Sequence, residues 1–360
     1  MPEEVKFSHG VMEGGGAYNA HARIQQGGAA LALPLFESAL RKVPFNAGNG
    51  PVVIADYGSS QGKNSLAPMR FAIETLRQIL GPSRPIFVFH VDLPANDFNS
   101  LFEVLSADPN RYELADPQVF PCAIGRSFYR NVLPSNSVDV GWSAFAAVWL
   151  SCIPARVPGH FVVFRGSGEV RARFECQAAQ DWKTFLSRRS EELRPGGRLV
   201  LLLPGIDDNG LSGFEDLFDC ANEVLAVMVD EGAIRAEERA RIVLGGYPRR
   251  CCELLAPFEC DGQYCQLRVE QCDLTVVKDP SWDGYERDGD KEALARKHAL
   301  FFRSTFVPSL AASLAPGRSR VEQEIFADRL EDGLQKRLAC CPAPVDSFVQ
   351  VMVLAKSELV

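Results

Sequence analysis

The sequence predicts an α/β chain built on a doubly wound, mostly parallel sheet. Three observations predict it. Val52-Val-Ile-Ala-Asp56 is a short apolar run bounded by turn formers and closed by an acid. Leu66, Met69, Ile73, Leu76, Ile79 and Leu80 then recur at helical spacing, and Pro85–Asp92 is a second apolar run closed by an acid. Strand, helix and strand in that order form a right-handed βαβ unit, the opening move of a doubly wound sheet.

The elements follow in chain order. The linker Phe45–Pro51 precedes the first strand, whose unbroken apolar run suits a strand buried on both faces. The helix over 65–80 stops at Gly81-Pro82, where neither residue can extend it. After the second strand, Asp97 suits the N-cap of a short helix over 97–105. Strands are expected over 118–123 and 137–141. A helix over 181–193 carries Trp182, Phe185, Leu186 and Leu193 on one face, turns at Arg194-Pro-Gly-Gly197, and leads into a strand over 198–204. Beyond Pro204, residues 211–245 read as mostly helical and 255–278 as strand-like. Residues 290–338 read as helix broken at Pro308 and Pro316, and 347–355 as a closing strand. The expected organisation is an N-terminal segment (1–48) closing over the site and an α/β core (49–205). A helical cap insertion (206–254), a core strand region (255–280), a second cap segment (281–340) and the closing strand (341–360) complete it.

Composition narrows the functions. Among 360 residues, 46 acids outweigh 38 bases for a net charge of −8, the wrong sign for a nucleic-acid backbone binder. The 46% hydrophobic content can bury a sizeable core and excludes disorder. Eleven cysteines occur with no C-x-x-C, and Cys260, Cys265 and Cys272 have no histidine near them in sequence, so no metal site is expected. Residues 1–16 lack a basic stretch followed by an apolar one, and Val140–Ala155 is too short and interrupted to span a membrane. A cytoplasmic setting is therefore expected, with no nucleic-acid or membrane partner and with a homodimer left open.

The loop Asp56-Tyr-Gly58-Ser59-Ser60-Gln-Gly62-Lys-Asn64 joins the first strand to the first helix. That is where a doubly wound sheet takes its ligand, because glycine lets backbone approach and helix-end amides point outward. It matches neither G-x-G-x-x-G nor a P-loop, and a tight turn without a ligand accounts for it equally well. Gly58-Ser59-Ser60-Gln61-Gly62 also fits G-x-S-x-G, which would make Ser60 a hydrolase nucleophile served by His90, His160 or His298. That reading ranks second: His90 sits inside an apolar strand, His298 in a helical stretch, and too little sheet precedes the loop. Asp56 and Asp92 close successive parallel strands, and an acid at the second tip is placed to accept two ribose hydroxyls. Ser127-Phe128-Tyr129 follows the third strand, where a serine and an aromatic ring can bond and stack on an adenine.

Together these stretches resemble the SABATH family of S-adenosylmethionine-dependent methyltransferases, which methylate small carboxylic acids and some xanthines. Met12–Gln25, Ile54–Asn64, Asp92-Leu-Pro-Ala-Asn-Asp-Phe-Asn99, Ser127-Phe-Tyr129, Ser143–Ser151 and Arg189–Arg198 are similar to its motifs in order. The resemblance implies a class I methyltransferase fold, a Rossmann-like sheet with a helical cap, and S-adenosylmethionine as cofactor. By the same match Tyr18, Ser59, Asn64, Asp92, Leu93, Ser127 and Phe128 would contact the cofactor, with Asp56 and Gly58 beside them. Gln25 and Trp149 would hold the substrate carboxylate, and Tyr18, Phe145 and Val148 would line the rest of the substrate site. The chain departs from the pattern at Ala17, His21, Ala22, Ser59, Phe145 and Val148. The expected activity is formation of the methyl ester of a small apolar or aromatic acid. A cofactor-binding protein without turnover is a third reading, motivated by Ala17 and Ala22.

Overall fold

The computed structural model describes residues 10–45, 50–112, 114 and 116–358. The middle of the expected linker, residues 46–49, and with it the boundary placed at residue 48, lies outside them. In chain order the elements begin with α1 (Ala17–His21), α2 (Arg23–Arg41), β1 (Val52–Tyr57), α3 (Lys63–Leu80), β2 (Ile86–Asp92) and α4 (Phe98–Ala107). They continue with β3 (Val119–Gly125), β4 (Val138–Ala144), α5 (Gly168–Glu192), β5 (Leu193–Pro204), α6 (Glu215–Asp230), α7 (Ala236–Arg239) and α8 (Cys251–Leu255). The last are β6 (Gln263–Tyr264), β7 (Leu267–Val277), α9 (Trp282–Asp288), α10 (Lys291–Ala311), α11 (Arg320–Cys340) and β8 (Ser347–Lys356).

One sheet runs β3-β2-β1-β4-β5-β8-β7-β6. Strands β1 to β5 pair in parallel, and β8 returns antiparallel between β5 and β7. Every residue of β1 is buried, which is why it reads as continuous apolar sequence. Strand order reverses between β1 and β4, so their carboxyl ends diverge and open a crevice there. Asp97 caps α4 by accepting the Ser100 amide at 3.0 Å.

Several elements differ from the sequence expectation for identifiable reasons. Helix α5 starts at Gly168, well before residue 181: Val170, Phe174 and Ala178 form a thin apolar row that packs on a separate small core, while Arg173–Glu169 and Arg171–Glu175 pairs hold the solvent side. The Arg194–Gly197 stretch is not a turn but the opening of β5, accommodated by a shift in the β4/β5 register between Val138 and Val140. The region 211–245 is helical only over α6 and α7. Helix α10 runs through Pro308 instead of breaking there. Proline lacks the N–H that would reach Ser304, and the freed Ser304 carbonyl accepts the Glu13 amide at 3.0 Å. The same proline thus pins the N-terminal segment to α10.

Helices α6, α10 and α11 pack together on phenylalanines: Phe218 lies 5.0 Å from Phe306 and 6.0 Å from Phe302, ring centre to ring centre. Burying each such ring stabilises the fold by roughly 1.5–3 kcal/mol. No helix among the described residues is long and apolar enough to cross a membrane.

Candidate active site

A cavity of about 480 Å³ opens beyond the carboxyl ends of β1, β2 and β4. Its core side is lined by Gly58, Ser60, Asp92, Leu93, Ser127 and Phe128. Tyr18 and Gln25 reach it from the N-terminal helices, and Phe145, Val148 and Trp149 from the loop after β4. The fold therefore brings together ten of the residues that the resemblance implies for the cofactor and substrate site, from five separate stretches of chain, with Ser60 among them.

The β1–α3 loop is shaped by glycine. Gly58 has φ +89°, and a Cβ there would lie 2.0 Å from the Ala146 Cβ, so the loops after β1 and β4 touch only because that carbon is missing. Ser60, also left-handed at φ 48°, donates its amide to Asp92 Oδ2 at 2.7 Å, and the Leu93 amide donates to Oδ1 at 2.7 Å. Burial, reinforced by Asp56, outweighs those two bonds and raises the Asp92 carboxyl to about 6. No lysine or arginine pairs with it among the described residues, so each oxygen keeps a lone pair for a donor in the cavity. Burial and the neighbouring Asp92 charge also hold the Tyr18 hydroxyl firmly protonated, while Asn64 bonds it.

Three expected cofactor contacts do not line the cavity. Asp56 stands in register with His90 on β2, so both side chains share one face of the sheet and turn away from the crevice. Its carboxylate accepts the Ser65 hydroxyl and meets His90 Nδ1 at 3.1 Å, which makes it an internal anchor for β1, β2 and α3. Ser59 is buried beneath the loop, its amide spent on the Val91 carbonyl at 3.2 Å. Asn64 sits on the first turn of α3, reaching the Ala22 carbonyl at 3.4 Å as well as Tyr18, and so supports Tyr18 from behind.

The Arg189-Ser-Glu-Glu-Leu193 stretch works as a brace for the Ser127–Phe128 loop. Arg189 and Glu192 are both fully buried and paired at 2.9 Å. Arg189 donates to the Phe128 carbonyl at 2.7 Å and the Arg130 carbonyl at 2.9 Å, while Glu192 accepts the Val132 amide and the Tyr57 hydroxyl. Such a pair is costly to bury unless its remaining hydrogen-bonding capacity is used, and here the loop takes up all of it but the Arg189 Nε. The loop carrying Trp149 is fixed similarly. The Tyr129 hydroxyl donates to the Trp149 carbonyl at 2.6 Å, buried Arg249 donates to the Ala147 carbonyl at 2.8 Å, and Asp181 accepts from Ser151.

The cap supplies the far wall, which the sequence reading did not assign. Phe214 and Phe218 of the α6 region pack against Phe301 and Phe306 of α10 to form it, and Phe164 and Thr305 also line the cavity. Their spacing identifies a buried face, but periodicity does not distinguish a face packed on a core from one lining a cavity. Gly10 and Met12 also line the cavity; Gly10 donates to Ser309 Oγ at 3.0 Å, and Gln61 bonds the Glu13 carbonyl. The N-terminal segment thereby bridges cap and core.

Among the described residues, no histidine, lysine or arginine lines the cavity. His90 is spent on Asp56 and Tyr112, His160 lies with Asp219, and His298 bonds Asp279 at 2.7 Å, so none serves Ser60. No cluster of three metal-ligating side chains occurs among the described residues. None of the eleven cysteines forms a disulfide among the described residues.

Comparison with known proteins places these features in context. The family model described as SAM dependent carboxyl methyltransferase matches residues 5–357. The Fusarium protein named methyltransferase LUC1 is 32% identical over 238 residues, 65% of this chain and 62% of that protein. The match therefore spans less than two thirds of that relative. Gibberellic acid methyltransferase 2 of Arabidopsis thaliana is 26% identical, with 80% of each chain covered. Among solved structures, loganic acid methyltransferase with SAH superposes with a TM-score of 0.76 at 22% identity, covering 96% of this chain and 99% of that one. This last likeness carries the fold: a class I methyltransferase sheet with a helical cap.

Proposed function

The chain belongs to the SAM-dependent carboxyl methyltransferase family, and from that premise we propose that it forms the methyl ester of a small apolar or aromatic carboxylic acid. The observation that carries the proposal is the cavity itself: Gln25 and Trp149 share it with Asp92, and no described histidine, lysine or arginine lines it.

The residues fit the family's cofactor. Asp92 offers two acceptor oxygens with no competing cation, suited to a ribose diol, and Leu93, Ser127 and Phe128 stand beside it for the nucleoside base. Tyr18, braced by Asn64, and the backbone at Gly58 complete that side of the proposed site. When bound, S-adenosylmethionine supplies an electrophilic methyl group on a sulfonium centre.

The protein's task is then positional. A carboxylic acid is already ionised near neutral pH, with an ordinary pKa of about 4, so no general base is needed. The Gln25 amide and the Trp149 indole can each donate one hydrogen bond to the carboxylate, orienting one oxygen without the full neutralisation an arginine would impose. Cap phenylalanines keep water away and accept an apolar body, while Phe145 and Val148 offer no polar partner of their own.

Two expected results follow. Gln25→Ala and Trp149→Phe should each lower kcat/KM for methyl transfer by about ten- to hundredfold, the loss of one hydrogen bond to a charged group. Trp149→Phe is the cleaner of the two because it keeps most of the ring; wild-type turnover in that variant would remove Trp149 from the carboxylate site. Affinity for S-adenosylhomocysteine should depend on pH. The ligand's hydroxyls favour the ionised Asp92, so binding is full above pH about 6 and weakens by up to tenfold per unit below it. Calorimetry across that range measures this, and constant affinity would contradict the role given to Asp92.

The proposal extends to a cytoplasmic setting, supported by eleven cysteines with no disulfide among the described residues, and to a homodimer. Sedimentation of the full chain tests the dimer, and a monomer at micromolar concentration would exclude it.

A further inference from the structure

Three side chains lining the cavity hold a buried polar atom with no hydrogen-bond partner in the protein: Gln25 Oε1, Ser60 Oγ and Thr305 Oγ1. The first two lie on the side already read as the carboxylate and cofactor site. Thr305 lies on the cap side, on α10, and has no role in that reading. It is only 5% exposed, and the apolar residues Phe214, Phe218, Phe301, Phe306 and Val162 line the cavity with it. Ser212, another cap-side hydroxyl, is already engaged by Glu215 at 2.7 Å.

An unsatisfied hydroxyl in such a wall is unfavourable, and valine would fill the same volume without that cost. A helical threonine commonly relieves it by bonding the carbonyl four residues back. Here that carbonyl, of Phe301, already accepts the Ser304 hydroxyl at 3.2 Å. Hydroxyl and methyl share one carbon in threonine, so a single χ1 step exchanges which of them faces the cavity.

Building on the carboxyl methyltransferase reading, we propose that Thr305 is a polar subsite in the cap wall that selects acids bearing a hydroxyl, ether or carbonyl oxygen on an otherwise apolar body. The substrate is then held at two places: its carboxylate by Gln25 and Trp149, and a second oxygen by Thr305. A site that bonds such an oxygen also disfavours the analogue lacking it, because the buried hydroxyl is left unpaired.

The test uses matched acids that differ by one oxygen: phenylpropanoic acid with its para-hydroxy and para-methoxy analogues, and decanoic acid with its terminally hydroxylated analogue. Methyl transfer is measured for wild type, Thr305→Val and Thr305→Ser, and binding of the same acids is measured by calorimetry with S-adenosylhomocysteine present. In at least one pair the wild type should prefer the oxygenated member by about three- to tenfold, in both kcat/KM and affinity. Thr305→Val should erase that preference without weakening the parent acid, and Thr305→Ser should restore it. A preference for the parent acid in every pair, or a ratio unchanged within about twofold in Thr305→Val, overturns the proposal. If the acids bind with the Thr305-dependent preference but none is methylated, carboxyl methylation falls and the subsite stands. If none of them binds, both fall.

Discussion

Asp92→Ala is expected to weaken binding of S-adenosylmethionine and S-adenosylhomocysteine by about a hundredfold or more. Two hydrogen bonds to one carboxylate, each worth about 1.5–3 kcal/mol, are lost together. The substitution also frees the Ser60 and Leu93 amides that Asp92 now accepts at 2.7 Å, so the loop after β1 loses its tether to the tip of β2. Asp92→Asn separates the two contributions: it keeps a side-chain carbonyl for one amide but removes the charge. Calorimetry with S-adenosylhomocysteine and a thermal melt of each variant measure them. Affinity unchanged in Asp92→Ala would take the residue out of the site.

Gly58→Ala is expected to be as damaging by a different route. The left-handed backbone strains any L-residue, and the added carbon would meet the Ala146 Cβ at 2.0 Å, a contact that cannot be relieved by a side-chain rotation at either position. Strain and overpacking together cost roughly 2–6 kcal/mol, or the loop moves and the wall that carries Ser60 moves with it. A lowered Tm, a loss of S-adenosylhomocysteine binding, or both should result. A variant matching the wild type in both would mean that the two loops do not need this close approach.

How much of this was legible in the sequence depends on how local the signal was. Val52–Asp56 and Pro85–Asp92 announce themselves because parallel strands of a sheet interior are unbroken apolar runs, fully buried in β1 and half-buried on one face at Phe87 and Phe89 of β2. The first turns of α5 do not, because their apolar row is thin, one residue per turn at Val170, Phe174 and Ala178 among charged residues. Pro308 suggested a helix break because the sequence cannot show that the amide of Glu13, distant along the chain, meets the carbonyl that proline leaves open. At the site, Asp92 and Asp56 looked equivalent as acids closing strands. Only the register with His90 reveals that Asp56 turns inward, whereas Asp92 stays at the cavity. Gln25 and Trp149 were placed by resemblance, and both line the cavity, from different elements. Thr305 was invisible, since its interest lies in a partner it lacks, and that is a property of packing in three dimensions.

The central claim is that this cavity transfers a methyl group to a carboxylate. Its most direct test incubates the full chain with methyl-labelled S-adenosylmethionine and a panel of apolar and aromatic carboxylic acids, and identifies the product by mass spectrometry. The account predicts a labelled methyl ester of at least one acid, formed without added metal and reduced at least about tenfold by Trp149→Phe. Cofactor binding without transfer to any acid, label appearing on nitrogen instead of a carboxyl oxygen, or hydrolysis of added methyl esters in place of their synthesis would contradict it.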